Sequence, residues 1–308
     1  MPPLASAVVP VKNGAEHLPA LLAALRAQEL PGGLEILVID SGSKDASARL
    51  AREAGAEVVE IPAASFDHGE TRNLGARAAR GEHVLFLSQD ALPAGRDFAR
   101  RLVAPLVDDT RVAGAFARQQ PRDDADALTR RELGHWAAAG AEPRTVFIED
   151  QARFAALPPA ERHRLAAFDN VASAVRRATL LEQPFAPSRF GEDIEWGLRM
   201  LRAGRGLCYV PAAVVVHSHR RRTRALFRRN YLGHRLLARL FGLRTIPDLP
   251  HLVRACAAGV ASDLRTLARA GSPASAWLAA PAQALAASYG QYRGARDESL
   301  GRPYPEWA

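Results

Sequence analysis

Four acidic residues stand where an α/β chain does its chemistry. Asp40 closes the apolar run LEILVID, Asp90 follows HVLFLS in the segment SQDA, and Glu192 and Asp193 open the stretch EDIEWGLRML. A carboxylate directly after a buried strand can cap the next helix or serve as a ligand. For Asp40 the alternatives are a turn residue and a hydrogen bond to a nucleotide base or ribose. For Asp90 they are a helix cap and a hard-metal site, because Mg2+ and Mn2+ prefer oxygen. Glu192 and Asp193 can simply favour the positive end of their helix. Asp90 alone makes a weak metal site, and the segment VVVHSHRRR supplies His217 and His219. Residues at i and i+2 of an extended segment point the same way. The two imidazoles can therefore face one ion, or they can be ordinary surface histidines. Arg72, in ETRNLGA, can pair with a diphosphate or with Asp40, or be confined to a structural salt bridge.

The surrounding pattern gives these positions their meaning. Apolar runs predict strands at 5–11, 34–40, 56–61, 83–88 and 112–117. Helical spacing predicts helices at 15–28, where Leu18, Leu21, Leu22 and Leu25 share a face, and at 44–54, 70–80 and 97–107. Such alternation implies an α/β fold, with a mixed, mainly parallel sheet covered by helices on both faces. Sites of such sheets lie beyond the carboxyl ends of the strands, where Asp40 and Asp90 fall.

Four segments in order carry a resemblance: PVKNGAEHLPALLAAL, EILVIDSGSKDAS, FDHGETRNLGARAARGEHVLFLSQDALP and FGEDIEWGLRML. Together they resemble family 2 glycosyltransferases of the GT-A fold, from about Ala5 to about His219. FDHGETRNLGA paired with FLSQDALP is similar, more narrowly, to the bacterial rhamnosyltransferase-type branch, and VAGAFARQQPRDDADALTRRE and NVASAVRR continue the likeness. The resemblance implies an inverting transferase that moves a sugar from a nucleoside diphosphate to a hydroxyl. The branch implies a dTDP-rhamnose donor and a cell-surface polysaccharide or lipid-linked glycan acceptor; a UDP- or GDP-sugar donor is the alternative. The family places metal binding on the last carboxylate of an Asp-X-Asp-like motif, here Ser88-Gln89-Asp90, with Ser88 replacing the first acid. It places the general base on Asp193, with Glu192 orienting the acceptor or tuning Asp193. It places base contacts at Pro10, Val11 and Lys12, with Lys12 at a position often aromatic, and a pyrimidine contact at Asp40. Arg72 and Asn73 join the expected donor site, as do Ser88 and Gln89. Asp67 and His68 are expected to shape the same loop, and Arg118 and Gln119 to approach donor or acceptor. The implied cofactor is Mg2+ or Mn2+, on Asp90 with His217 or His219.

Composition sets the outer limits. The chain has 308 residues, 48% of them apolar, and a formal net charge of +8. That suits a catalytic domain at 1–220 and a helical C-terminal extension at 221–308. The positive excess fits a nucleic acid, an anionic membrane or a phosphate-bearing substrate. Residues 220–244 hold nine Arg and no acid, with an apolar stripe of Leu226, Phe227, Leu232, Leu236, Leu237, Leu240 and Phe241. Such a helix can rest on an anionic membrane, or pack on the core with its basic face in water. No aromatic-interleaved platform accompanies it, so nucleic acid is not an expected partner. A further helix is expected at 249–270, followed by an Ala-rich stretch broken at Pro281. Two distant cysteines, the lack of a basic apolar leader and the lack of an 18-residue apolar run lead to the expectation of a cytoplasmic protein, peripheral on the inner face of the membrane at most. A dinucleotide-binding dehydrogenase would need G-x-G-x-x-G after the first strand, where PVKNGAEHLP stands. A sugar nucleotidyltransferase would need a Gly-rich, Arg-containing loop at the same place. A non-catalytic scaffold would have no use for Asp90, Asp193 and the histidine pair together.

Overall fold

In the computed structural model, which describes residues 3–307, a single sheet organises the chain. Its first four principal strands are β1 (Ala5–Val11), β2 (Leu34–Asp40), β3 (Glu57–Glu60) and β4 (His83–Leu87). These run parallel in the order β3-β2-β1-β4. The remaining strands are β5 (Leu92–Ala94), β6 (Val112–Gln120), β7 (Arg144–Val146), β8 (Ala172–Arg176) and β9 (Gly206–Val216). β8 enters antiparallel beside β4, β6 follows antiparallel to β8, and β9 lies parallel to β6 and pairs with both β5 and β7. The β8 insertion turns a parallel half into a mixed sheet.

Alternation along each strand supplies two cores. Ala7, Val9, Leu85 and Leu87 face α1 (Leu18–Arg26) and, beyond α2 (Ser47–Glu53) and α3 (His68–Ala78) in the chain, α4 (Phe98–Asp108). Val8, Val84 and Phe86 face the opposite way. Short helices α5 (Ala127–Gly134), α6 (Gln151–Ala156), α7 (Pro159–Leu165) and α8 (Arg177–Glu182) then lead to α9 (Glu192–Arg202). On that second side Trp196 and Leu201 of α9 join Phe185 and Phe168. Each such fully buried side chain contributes roughly 1.5–3 kcal/mol.

Several boundaries differ from expectation for a readable reason. α1 starts at Leu18 and α2 at Ser47 because the residues before them bind each other. Asn13 N donates to Ser43 Oγ, Gly14 N to Ser47 Oγ and Ala15 N to Asp45 Oδ2, while Lys44 N donates to Asn13 Oδ1. The polar loops after β1 and β2 are thus laced together instead of coiling into helices. α3 starts early, at His68, because Asp67 caps it by accepting from Gly69 N and Glu70 N.

The C-terminal helices are α10 (Thr223–Phe241), α11 (Leu249–Arg269) and α12 (Ala274–Ser299). α12 runs straight through Pro281, correcting the expected break: the proline removes one helix hydrogen bond while neighbouring helices hold the rest. α10 turns its apolar stripe inward, burying Leu226, Leu232, Leu236 and Phe241. Gly290 of α12 lies so close to α10 that a Cβ there would sit 2.7 Å from the Phe227 carbonyl oxygen. Arg235 is itself buried; it donates to Glu298 and to the carbonyls of Arg302 and Pro303, and sits 3.9 Å over the Tyr304 ring. Leu226, Leu232, Leu236 and Phe241 of the stripe are thus buried, while Phe227, Leu237 and Leu240 stay half-buried. Among the described residues no helix is long and apolar enough to cross a membrane.

Candidate active site

The floor of the site is the carboxyl edge of β1, β2 and β4. Asp40 is buried at the end of β2, and its Oδ1 accepts from Gly42 N and Ser43 N. Its Oδ2 is buried with no hydrogen-bond partner. Pro10 and Val11 pair in register with Ile39 and Asp40. Lys12 N donates to Gln89 Oε1 at 2.8 Å, and Gln89 Nε2 donates back to the Lys12 carbonyl. Gln89 thus ties the end of β1 to the loop after β4, where Ser88 N donates to the Val171 carbonyl.

Asp90 extends that loop into a cluster. His217 Nε2 lies 3.5 Å from Asp90 Oδ1, and His219 Nδ1 lies 3.5 Å from Asp90 Oδ2. One ligand atom from each residue falls within 4.8 Å of the others. His217 is buried and His219 largely exposed, so the cluster has a closed back and an open front. Burial, ahead of its cationic neighbours, pushes His217 down to about 4, so it is a neutral imidazole. Its tautomer follows from the hydrogen-bond chain behind it. Gln119 Nε2 donates to Asp169 Oδ2, which leaves Gln119 Oε1 to accept from His217 Nδ1 at 2.9 Å. The Nε2 lone pair is therefore turned toward Asp90. A carboxylate and two imidazoles in this arrangement fit a divalent cation. Arg122 donates to the Asp90 carbonyl and holds its charge 3.9 Å from Oδ2.

Behind this cluster three acids crowd together. Gly191 adopts φ +74° as the N-cap of α9, a left-handed conformation that suits glycine, and it delivers Glu192 and Asp193 at the helix start. Asn170 clamps both: its N–H donates to Asp193 Oδ2 and its Nδ2 to Glu192 Oε1. Ile194 N donates to Asp193 Oδ1. Asp169 accepts from Gln119, from Trp136 Nε1 at 2.7 Å and from Val171 N. Burial would raise Glu192, but Arg72, 3.0 Å away, acts together with His68, Asn170 and the backbone to hold the group below the usual carboxylate range. Asp193 has no such cation. Burial first, then the charges of Glu192 and Asp169, push it up to about 8. Burial likewise raises Asp169. Two adjacent carboxyls are thereby driven apart in acidity, as an acid–base site requires.

Arg72 is thus engaged by Glu192, and by the His68 carbonyl, rather than by Asp40. Asn73 exchanges two hydrogen bonds with the backbone of Phe185, tying α3 to the approach of α9. Asp67, besides capping α3, accepts from Ser188 N in the same approach. Arg118 lies within β6, opposite Val214.

A cavity of about 510 Å3 opens from His217 along α10, lined by Trp136, Phe190, Ile194, Leu236, Leu237 and Arg229 among others. Arg220, Arg221 and Arg222 stand at the same cavity. Part of the arginine run thus lines this cavity. Asp169, Asn170 and Trp136 were not singled out in the sequence. Their one signal was a polar pair, DN, placed just before the apolar run of β8.

A parallel half-sheet, a carboxylate–histidine cluster at the ends of β4 and β9 and a carboxyl pair opening α9 make up the frame of a GT-A glycosyltransferase. The sequence comparison agrees: residues 6–161 match the family model described as glycosyl transferase family 2. The chain belongs to that family. It is 29% identical over 230 residues to the O-antigen chain rhamnosyltransferase RfbN of Salmonella typhimurium, covering 73% of this chain and 69% of the relative. It is 27% identical over 209 residues to the O-antigen chain rhamnosyltransferase WbaN of Salmonella anatum, covering 64% and 60%. In fold it is similar to the mannosyltransferase PcManGT of Pyrobaculum calidifontis, solved with GDP-Man and Mn2+, at TM-score 0.64 and 18% identity over 98% of this chain and 89% of that one.

Proposed function

We propose that this glycosyltransferase moves rhamnose from dTDP-rhamnose to a hydroxyl of a cell-surface polysaccharide or a lipid-linked glycan precursor, with inversion at the anomeric carbon. The observation that carries the reading is the hydrogen-bonded line joining the two halves of the chemistry. His217 of the cation cluster leads through Gln119 to Asp169, which neighbours Asp193. The rhamnosyl donor is supported by the two Salmonella relatives, whose names specify rhamnose.

Each residue then has a task. Asp40 Oδ2, buried and unpartnered, suits the N–H of a pyrimidine ring. Pro10, Val11 and Lys12 line the edge on which that ring would lie, and Ser88 and Gln89 carry the loop toward the ribose. Arg72 and Asn73 act from behind, Arg72 by keeping Glu192 ionised and Asn73 by fixing α3. Asp90, His217 and His219 would hold the cation, and two imidazoles beside one carboxylate favour Mn2+ over the strictly oxygen-loving Mg2+. Once bound, a divalent cation neutralises charge on the departing diphosphate. Asp193 takes the proton of the attacking hydroxyl, held in line by Asn170 N and Ile194 N. Direct attack with one base inverts the anomeric centre. The cavity beside Ile194 and Trp136 receives the acceptor. Catalysis is assigned to 1–220, with 221–308 closing the acceptor side through α10, and the enzyme would work in the cytoplasm.

A donor panel of dTDP-, UDP- and GDP-sugars, read by nucleotide release and by thermal shift with Mn2+ or with chelator, tests the reading. Release from dTDP-rhamnose that needs Mn2+ is expected. A preference for a UDP- or GDP-sugar would overturn the donor assignment, and binding without turnover of any donor would mark a non-catalytic nucleotide-sugar binder.

A further inference from the structure

The α11–α12 hairpin carries a surface that the transferase chemistry does not use. Of the large apolar side chains that stay exposed in the described chain, Leu249, Val253, Trp277, Leu278, Leu285 and Tyr289 lie on it, Leu278 at 83% exposure. On α12, Leu278, Ala282, Leu285 and Tyr289 recur at spacings of three and four, so they form one stripe. The inner face of the helix is spent on packing, with Ala280, Ala284 and Ser288 buried and Gly259 of α11 facing the latter two. The stripe therefore points outward over about 16 Å, with Tyr289 at its end also stacked on Phe227 of α10.

Charge around the stripe has one sign. From Leu249 to Arg296 the only carboxylate is Asp263, which is buried against Arg131 and Arg221. Arg254, Arg265, Arg269 and Arg296 are exposed. Aliphatic and aromatic side chains in a row, with four exposed arginines on the same two helices against one exposed acid, Asp248 at the start of α11, are what an interfacial helix presents to anionic lipid. We infer that the α11–α12 hairpin docks the enzyme on an anionic membrane surface through the Leu278–Tyr289 stripe and these arginines. α10, the basic amphipathic helix, is less suited, since Leu226, Leu232, Leu236 and Phe241 of its stripe are buried. Docking leaves the catalytic cluster untouched, so this inference stands apart from the donor and acceptor assignments.

Flotation of the full chain with vesicles tests it, using phosphatidylglycerol mixed into phosphatidylcholine against pure phosphatidylcholine, at low and high salt. Binding to the anionic vesicles is expected to exceed binding to the neutral ones by at least about tenfold and to fall as salt screens the arginines. The double variant Leu278→Glu/Leu285→Glu, both sites exposed, should keep the wild-type melting temperature and lose flotation about tenfold or more. A second variant, Arg265→Gln/Arg269→Gln, should weaken flotation on anionic vesicles only. No flotation, equal flotation by the Glu variant, or equal binding to both vesicle types overturns the inference. So does light scattering that shows a dimer of the wild type converted to a monomer by the Glu variant, because the stripe would then be a face for a second copy.

Discussion

The two halves of the active site are built differently. On the proposed donor side, at the ends of β1, β2 and β4, the paired polar groups bind backbone, and Asp40 Oδ2 is left open. Asp40 accepts from the two residues of its own turn, and Gln89 binds the backbone of Lys12. On the proposed acceptor side Asp169, Glu192 and Asp193 are brought together from two separate segments and must share few cations. Arg72 serves Glu192, leaving Asp193 to carry the cost of confinement as a raised affinity for protons. A recognition half can afford to be relaxed. A reacting half holds its groups away from their preferred protonation, which is where proton transfer gains its driving force.

That contrast can be broken by substitution, in order of expected effect. Asp90→Ala removes the one carboxylate of the cation cluster and should cost on the order of 10²–10³ in turnover, with Mn2+-dependent stabilisation by nucleotide lost in thermal shift. Retained Mn2+ dependence would place the cation elsewhere. Gln119→Leu leaves His217 without its acceptor and Asp169 without one donor. Mn2+ affinity should fall roughly 10–100-fold by titration calorimetry, with nucleotide affinity at saturating Mn2+ nearly unchanged. An equal loss in both would make Gln119 a packing residue. Asp40→Asn, on the relaxed half, should weaken nucleotide binding by about tenfold and leave the maximal rate nearly intact. A large fall in maximal rate would erase the distinction between the halves.

The same contrast governed what could be read in advance. β1 and β2 matched the apolar runs to the residue, because a strand buried on both faces has a nearly uninterrupted apolar sequence. Asp40, Asp90, His217 and His219 were legible because each directly follows such a strand. Asp169, Asn170 and Trp136 were not. Their importance comes from contacts across long stretches of chain, such as Asn170 to Asp193 and Trp136 to Asp169, which no local spacing records. Arg72 was found, but its partner was not, since Glu192 and Asp40 are equally plausible partners until α3 and α9 are packed together. The basic run of α10 read either as a membrane-resting helix or as one packed on the core, and folding divides it among a buried pair at Arg235, the cavity wall at Arg229 and open solvent at Arg224.

The most direct test of the account is the pH dependence of kcat/KM for wild type and Asp193→Asn, with donor binding measured beside it. Asp193 is protonated below about pH 8 and cannot then accept a proton, so wild-type kcat/KM should climb about tenfold per pH unit and level off above that point. Glu192, held low by Arg72, stays ionised throughout and contributes no limb there. Asp193→Asn should lower transfer by about 10²–10⁴, abolish the limb and leave donor affinity unchanged. A variant that keeps the wild-type rate and the same rising limb would contradict Asp193 as the base.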